Sequence, residues 1–200
     1  MKSAVFDIET TALDGQGGGL LLVVCVRPTS TNRTRTYRID SYKYEPSQDY
    51  GIFERQEKDL LVDVLDELAK YDLLIGHNID RFDVHFLKTR AFRLGVPWFL
   101  NPLTYDTMKA FRRTGYRTVL NAIGKPSAGM DMVSDFLGVD QLKTKIYPAE
   151  WWTSIWGNEL KRIEAINTIA DHCQRDVRQN ALIYEKLLPA DFKASIRRIF

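Results

Sequence analysis

Apolar residues in the first forty positions follow a pattern that is typical of β-strands. Val5 to Thr11 is rich in strand-forming residues, and apolar and acidic side chains alternate from Phe6 to Glu9. The run from Leu20 to Val26 is wholly apolar, as in a strand buried on both faces, and Thr34 to Ile39 alternates again. The three segments predict an antiparallel meander. The glycine-rich residues 14–19 lack the Lys-Ser/Thr ending of a phosphate loop and precede a strand, so we predict a flexible hairpin turn there.

The spacing of apolar residues changes to a helical period further along the chain. Gln56 to Tyr71 carries leucines and valines at intervals of three and four residues, which predicts an amphipathic helix. The wholly apolar Leu73 to Ile75 predicts a short strand buried on both faces. A second helix is predicted from Arg81 to Leu94, with Asp80 as its N-cap and a glycine at its end.

The second half of the chain is predominantly helical in pattern. Leu103 to Asp106 predicts a brief strand, and Met130 to Leu137 predicts a short helix ended by a glycine. Glu159 to Leu188 is predicted to be helical, as one helix or as two with a break near Asn167, and to end at Pro189. The order of elements predicts one α/β domain in all 200 residues, with three antiparallel strands and then parallel strands in a mixed sheet flanked by helices.

Composition narrows the class of protein without identifying it. Apolar residues make up 44% and charged residues 27% of the chain, and the net charge of +2 permits a local basic face without indicating a nucleic-acid partner. Cys25 and Cys173 lack metal-site spacing and are expected to be buried thiols in a reducing compartment. Because Met1-Lys2-Ser3 leads straight into the first strand and no apolar run is long enough to span a bilayer, we expect a cytoplasmic protein without a membrane partner.

The first strand carries two acids on one face. Successive side chains of a strand point to opposite sides, so Asp7 and Glu9 lie together while Phe6 and Ile8 lie on the other side. Two neighbouring carboxylates repel each other, and a divalent cation between them relieves the repulsion. An edge strand with one solvated face has the same pattern, and these residues alone do not decide between the two interpretations.

Two further acids occur in helical segments. Asp83 lies in the first turn of the helix after the buried strand, where a carboxylate can simply compensate the helix dipole. His172 and Asp176 are four residues apart and share one face of the last helix, which is also the pattern of a solvated pair. Structural roles are expected for His77 and His85. Asp106 is either a further acid near the site or a strand-end residue, and we favour the second interpretation.

Taken in order, the acids form a pattern that resembles the DEDD superfamily of 3′–5′ exonucleases, which have the ribonuclease H-like fold. The first motif is Phe6-Asp7-Ile8-Glu9-Thr10-Thr11, the second runs from Gly76-His77-Asn78 through Phe82-Asp83, and the third runs from His172 through Asp176, followed by Val177 and Leu182. The resemblance spans about residues 4 to 188.

The third motif departs from the pattern of that family. One branch has tyrosine four residues before the last aspartate, and the other has histidine five residues before it. Here His172 is four residues before Asp176, and Asp171 occupies the position five before. The chain therefore looks closest to the tyrosine-type proofreading exonucleases of DNA polymerases, with histidine in place of tyrosine, which leaves the identity of the water-activating group open.

The resemblance implies a site for two divalent cations, Mg²⁺ or Mn²⁺, held by Asp7, Glu9, Asp83 and Asp176. It also implies that His172 orients the attacking water or takes its proton, a task that suits an imidazole at neutral pH. The expected reaction is two-metal hydrolysis that releases nucleoside 5′-monophosphates from a 3′ end.

The same resemblance implies contacts with the substrate strand. Thr10, Thr11 and Leu13 are expected to grip the last nucleotide, and Asn78 and Phe82 to hold the next phosphate and base. The basic residues expected to follow the phosphate backbone are Arg81, Arg112, Arg113 and Arg117. Tyr116 and Trp151 have the chemistry to stack on bases, but core packing explains the tryptophans Trp151, Trp152 and Trp156 at least as well.

The leading hypothesis is a stand-alone 3′–5′ exonuclease acting on single-stranded DNA, with any polymerase or replication partner supplied by a separate chain. A ribonuclease that trims RNA 3′ ends is an alternative, because contacts with the 2′-OH are not visible in a sequence. A catalytically inactive nucleic-acid-binding module is a second alternative. The four intact acids disfavour it, and the histidine substitution keeps it open.

Overall fold

A computed structural model of the chain describes residues 1–12, 19–42, 50–113, 128–140, 142 and 144–198. Its strands are β1 (Ser3–Thr10), β2 (Leu21–Pro28), β3 (Arg35–Arg38), β4 (Leu73–Gly76), β5 (Leu103–Asp106) and β6 (Ile196–Arg198). Its helices are α1 (Tyr50–Leu68), α2 (Asp83–Leu94), α3 (Thr107–Phe111), α4 (Met130–Leu137), α5 (Pro148–Trp156) and α6 (Glu159–Ser195), with a 3₁₀ turn at Ile39–Ser41. The predicted hairpin turn at 14–19 lies almost wholly outside the described residues.

The strands form a mixed sheet in the order β3-β2-β1-β4-β5-β6. The first three strands pair antiparallel, and β4 and β5 add to β1 in parallel. This confirms the predicted ribonuclease H-like arrangement of an antiparallel meander followed by parallel strands. The final strand, β6, pairs antiparallel to β5 and was not predicted, because three residues are too few to show an alternating pattern.

Both faces of the central strands are covered by helices. Every residue from Leu21 to Val26 is buried, as the apolar run predicts. The long helix α6 packs against β1 and β2, and α1 contacts β2 and β3. A fully buried ion pair between Glu57 of α1 and Arg90 of α2 ties these helices to the sheet, because Glu57 also accepts a hydrogen bond from the backbone N–H of Leu21 at 2.9 Å. In this ion pair, Arg90 Nε donates a hydrogen bond to Glu57 Oε1 at 2.7 Å.

Two helix starts differ from the prediction. Helix α1 begins at Tyr50 rather than Gln56, and α2 begins at Asp83 rather than Arg81. Asp80 is not the N-cap of α2. Its carboxylate instead accepts a 2.7 Å hydrogen bond from the Thr104 hydroxyl and pairs with the Lys109 ammonium at 2.6 Å, partners distant in sequence that a local pattern does not reveal.

The last helix runs further than predicted. Helix α6 is a single helix from Glu159 to Ser195, without a break near Asn167, and Pro189 lies inside it. Proline leaves the carbonyl of Glu185 without its helical donor. Both Pro189 and Glu185 are exposed, so water can bond that carbonyl. The helices predicted to end at glycines do so, at Gly95 and Gly138, which adopt the left-handed conformation with φ of 65° and 64°.

Candidate active site

Strand β1 fixes the positions of the first two acids. It lies inside the sheet, where β2 pairs with it from Ala4 to Thr10 and β4 pairs with its first part, from Ser3 to Val5. Asp7 and Glu9 share one face, and their carboxylates lie near the same residue of α6, Cys173. The strand pairing shifts register between Glu9 and Thr10, where the chain leaves the sheet. The solvated edge strand considered as an alternative is therefore excluded.

Helix α6 presents His172 and Asp176 to the acids of β1. The His172 Nε2 lies 3.8 Å from Glu9 Oε1 and 3.7 Å from Asp176 Oδ2. Both residues are buried, with 6% of His172 and 5% of Asp176 exposed, which excludes the solvated helix face as an explanation. Between them, the Cys173 thiol donates a hydrogen bond to the carbonyl of Asp7 at 3.5 Å and so holds α6 against the strand.

Asp83 reaches the same strand from the start of α2. It is 3% exposed, and its carboxylate lies close to the backbone N–H of Ile8, which lowers the pKa of Asp83 against the larger effect of burial. Burial raises the pKa of Asp83 to about 7, and the charge of Asp106 adds to the rise. An aspartate that only compensated the helix dipole would be exposed to solvent. The burial of Asp83 therefore shows that dipole compensation alone does not explain this residue.

The electrostatics of Asp7 join the four acids into one cluster. Its pKa lies well above the usual range, first because the carboxyl is withdrawn from water and then because Asp83, Glu9 and Asp176 repel its charge. Such mutual repulsion is the condition that a bound cation reverses.

The donor atoms fit a divalent cation. Within the described residues, two groups bring three donor atoms within 4.8 Å of one another, namely Asp7 with Glu9 and Cys173, and Glu9 with His172 and Asp176. Burial raises the pKa of the Cys173 thiol well above its ordinary value, so this group remains a hydrogen-bond donor. The remaining donors are carboxylate oxygens and one imidazole, which are ligands that hard and borderline divalent ions accept. Neither group includes Asp83.

Two adjoining cavities open at this cluster. The first, of about 630 Å³, is named the acidic cavity and is lined by Asp7, Ile8, Glu9, Asp131, Thr144, Lys145, Ile146, Tyr147, Trp151, His172 and Asp176. The second, of about 500 Å³, is named the apolar cavity and is lined by Ile8, Glu9, Thr10, Thr11, Ala12, Phe82, Pro148, Trp151 and Trp152. Because Ile8, Glu9 and Trp151 line both, a ligand in one cavity can extend into the other.

The residues expected to contact substrate are distributed unevenly. Thr10, Thr11 and Phe82 line the apolar cavity, next to the acids. The Thr10 hydroxyl donates to the carbonyl of Ala12 at 2.6 Å, and the Thr11 hydroxyl accepts from the N–H of Leu20 at 2.8 Å, so both also shape the turn.

The remaining substrate candidates lie at the edge of this region or outside the described part of the chain. Arg81 is exposed in the turn before α2, and Arg112 and Arg113 are exposed after α3. None of these three arginines lines either cavity. Leu13, Tyr116 and Arg117 lie outside the described residues.

Asn78 organises the turn between β4 and α2. Its φ of 67° places it in the left-handed conformation, and its carbonyl accepts the N–H groups of Arg81 and Phe82. Asp106 holds this turn by accepting the N–H of Asn78 at 3.1 Å, and it also caps α3. Asp106 therefore has the strand-end role that the sequence favours, and its charge also raises the pKa of the nearby Asp83.

The histidines outside the cluster also have the surroundings predicted for them. His77 bonds the Thr107 hydroxyl at 3.0 Å and the carbonyl of Ala128 at 2.8 Å, so it links β4 to neighbouring segments. His85 is exposed on α2.

In the segment Thr144 to Trp152, which lines the site, the sequence pointed only to Trp151 as a residue that could contact a base. Thr144 Oγ1 lies 2.9 Å from His172 Nδ1, and Trp151 lines both cavities. Trp152 and Trp156 are not core residues, because they are 56% and 59% exposed. The many aromatic residues in α5 were the only sequence signal for this segment. Their number does not show which of the side chains are exposed.

The chain belongs to the RNase_H superfamily, whose family model matches residues 4–188. A similar fold is seen in a family B DNA polymerase from the hyperthermophilic archaeon Pyrobaculum calidifontis, with a TM-score of 0.62 and 19% sequence identity. The match covers 94% of this chain and 25% of the polymerase chain, so this chain spans about a quarter of that protein. No curated protein is similar enough to count as a match.

The clustered acids of this superfamily member offer donor groups that a divalent metal ion can bind. No helix in the part of the chain that the structure describes combines the length and the apolar character needed to cross a membrane.

Proposed function

We propose that this chain is a metal-dependent 3′–5′ exonuclease that removes nucleoside 5′-monophosphates from single-stranded DNA. The observation that carries the proposal is the convergence of Asp7 and Glu9 of β1 with Asp176 of α6, while Asp83 reaches the same strand from α2. These residues belong to the three motifs through which the sequence resembles the DEDD exonucleases. The direction of cleavage rests on that resemblance.

Asp7, Glu9, Asp83 and Asp176 are the residues that would hold two divalent cations, Mg²⁺ or Mn²⁺. When bound, such ions supply Lewis-acid stabilisation of charge on the attacking and leaving oxygens of a phosphodiester. The repulsion that raises the pKa of Asp7 is offset by the same positive charge. His172 belongs to this centre, because its Nε2 faces Glu9 and Asp176.

The apolar cavity is the proposed site of the terminal nucleotide. Phe82, Trp151 and Trp152 offer aromatic surface for a base, and Thr10 and Thr11 lie on the same wall. An unpaired base can enter such a cavity directly, whereas a paired base must first leave its helix at an energetic cost. This favours a single-stranded end. Asn78 and Arg81 are proposed to contact the next phosphate, and Leu13 belongs to the proposed set through the sequence resemblance.

We propose that any polymerase that acts together with these 200 residues lies outside them. The archaeal polymerase is about four times as long as the part of it that this chain matches.

The test is degradation of 5′-labelled single-stranded DNA and RNA of equal sequence, with Mg²⁺ or Mn²⁺. We expect products that shorten from the 3′ end, faster on DNA, and no cleavage by Asp7→Asn. Asp66→Asn is the matched control, because Asp66 is an exposed acid on α1 outside both cavities. Faster cleavage of RNA would assign the chain to the exoribonucleases. Binding of both polymers without cleavage would indicate an inactive module.

A further inference from the structure

His172 is the residue at which this chain departs from both branches of the family it resembles, and its position indicates a different role. Its Nε2 lies 3.8 Å from Glu9 Oε1 and 3.7 Å from Asp176 Oδ2. Both separations exceed the length of a hydrogen bond, which is at most about 3.2 Å. Two ligands that each lie about 2.1 Å from one ion are at most about 4.2 Å apart, so both separations permit a shared cation.

The other ring nitrogen of His172 is held in place by Thr144. The Thr144 Oγ1 lies 2.9 Å from His172 Nδ1, and the His172 side chain is 8% exposed. When the hydroxyl oxygen accepts the Nδ1 proton, Nε2 presents its lone pair to the two carboxylates. Metal-binding histidines are commonly held in this way, with the second nitrogen fixed by a partner outside the ligand shell.

We propose that His172 Nε2 binds one of the divalent cations together with Glu9 and Asp176, and that this site consequently favours Mn²⁺ over Mg²⁺. The inference rests on the proposed function for the presence of metal at these acids. It replaces the water-activating role that the sequence resemblance implies for His172, because a nitrogen bound to a cation has no lone pair left for a proton.

The metal preference follows from the donor set. Mg²⁺ is a hard ion that prefers oxygen ligands and a near-octahedral shell, whereas imidazole suits transition ions. Tyrosine at the same helix position offers a neutral phenol with a pKa near 10, which is a poor ligand at neutral pH. The change from tyrosine to histidine therefore adds a nitrogen donor at the point where two carboxylates meet.

The test is pulsed electron paramagnetic resonance of Mn²⁺ bound to the full chain, with the metal alone and no nucleic acid. A nitrogen of imidazole bound to Mn²⁺ produces a hyperfine coupling that oxygen ligands do not. We expect this coupling in the wild-type chain, its loss in His172→Phe and His172→Tyr, and its retention in His85→Asn, where an exposed histidine of α2 is removed. Bound Mn²⁺ without nitrogen coupling in the wild-type chain, or no Mn²⁺ bound, would overturn the inference.

The nitrogen coupling and the exonuclease activity are measured separately, so each proposal can fail without the other. Nitrogen coupling in a chain that cleaves neither DNA nor RNA would support the metal ligand and reject the exonuclease. Cleavage by a chain whose bound Mn²⁺ shows no nitrogen coupling would do the reverse.

Thr144 provides a second test that leaves the ligands themselves unchanged. Thr144→Val removes the hydroxyl that holds Nδ1 and is expected to lower Mn²⁺ affinity by about 10-fold or more, as is typical of residues that orient metal ligands. Thr144→Ser restores the hydroxyl and should restore the affinity. Equal Mn²⁺ affinity in the valine and serine variants, measured by titration calorimetry, would remove Thr144 from the proposal.

Discussion

The carboxylate of Asp83 lies close enough to the backbone N–H of Ile8 for this group to lower its pKa, so the first residue of α2 lies beside the strand that carries Asp7 and Glu9. This placement brings an acid from the second sequence motif next to acids of the first. It also explains why Asp83 is 3% exposed although it begins a helix.

Asp83→Asn is expected to abolish most catalysis while preserving the fold. The amide oxygen of asparagine can still lie beside the Ile8 N–H, but the negative charge for a cation is lost. We expect a fall in kcat of at least about 100-fold, in the range seen when one electrostatic stabiliser is removed from an active site. Circular dichroism should be unchanged, and activity within a few-fold of wild type would contradict the role proposed for Asp83.

The metal-free protein should lose stability as the pH rises through the range in which Asp83 ionises. The folded pKa of Asp83 is about 7, compared with an ordinary value of 3.8, so between these values the folded chain binds this proton more tightly than the unfolded chain. The contribution of Asp83 to the free energy of unfolding is therefore fully present below about pH 3.8 and is lost as the pH rises to about 7. Asp7, whose pKa is also raised, acts in the same direction.

The measurement is the unfolding midpoint of the metal-free protein at about pH 5 and about pH 7.5. The midpoint should fall less in Asp83→Asn, and Mn²⁺ should raise it most at the higher pH, where the acids are ionised. An identical fall in Asp83→Asn would show that other groups cause the pH dependence.

The tryptophans of the apolar cavity should contribute to substrate affinity. Trp152→Ala removes a ring that is 56% exposed and lines this cavity. Stacking on a base contributes about 1–3 kcal/mol, so KM for single-stranded DNA should rise roughly 5- to 150-fold. Trp156→Ala is the control, because Trp156 is 59% exposed but packs against Phe53 and lines neither cavity. Equal effects of the two substitutions would argue against stacking at Trp152.

The buried ion pair of Glu57 and Arg90 should matter for stability rather than for chemistry. Both side chains are fully buried, so Arg90→Met leaves a carboxylate without its partner. Loss of one member of such a pair costs about 3–5 kcal/mol, which urea unfolding can measure. Replacing both residues by methionine should recover much of this loss. A double variant as unstable as the single one would show that packing dominates.

The parts of the site that follow a local periodicity were predictable from the sequence. The two-residue period of a strand places Asp7 beside Glu9, and the four-residue turn of a helix places His172 beside Asp176. The mixed sheet followed from the order of apolar segments.

The parts that depend on distant partners were not predictable. Asp80 serves Thr104 and Lys109 rather than the helix next to it. Thr144 contacts His172 across 28 positions of the chain. Pro189 lies inside a helix because its side of α6 is exposed to water. In each case a three-dimensional environment overrode a local preference.

The acids of the centre are separated by most of the chain, with Asp7 near its start, Asp83 near its middle and Asp176 towards its end. A chain still being synthesised has no complete centre until α6 has formed and docked against β1. Nascent or partly unfolded copies therefore lack the assembled acids on which the proposed cleavage depends. The proposed catalysis therefore requires the complete tertiary structure. Loss of activity on heating should coincide with global unfolding.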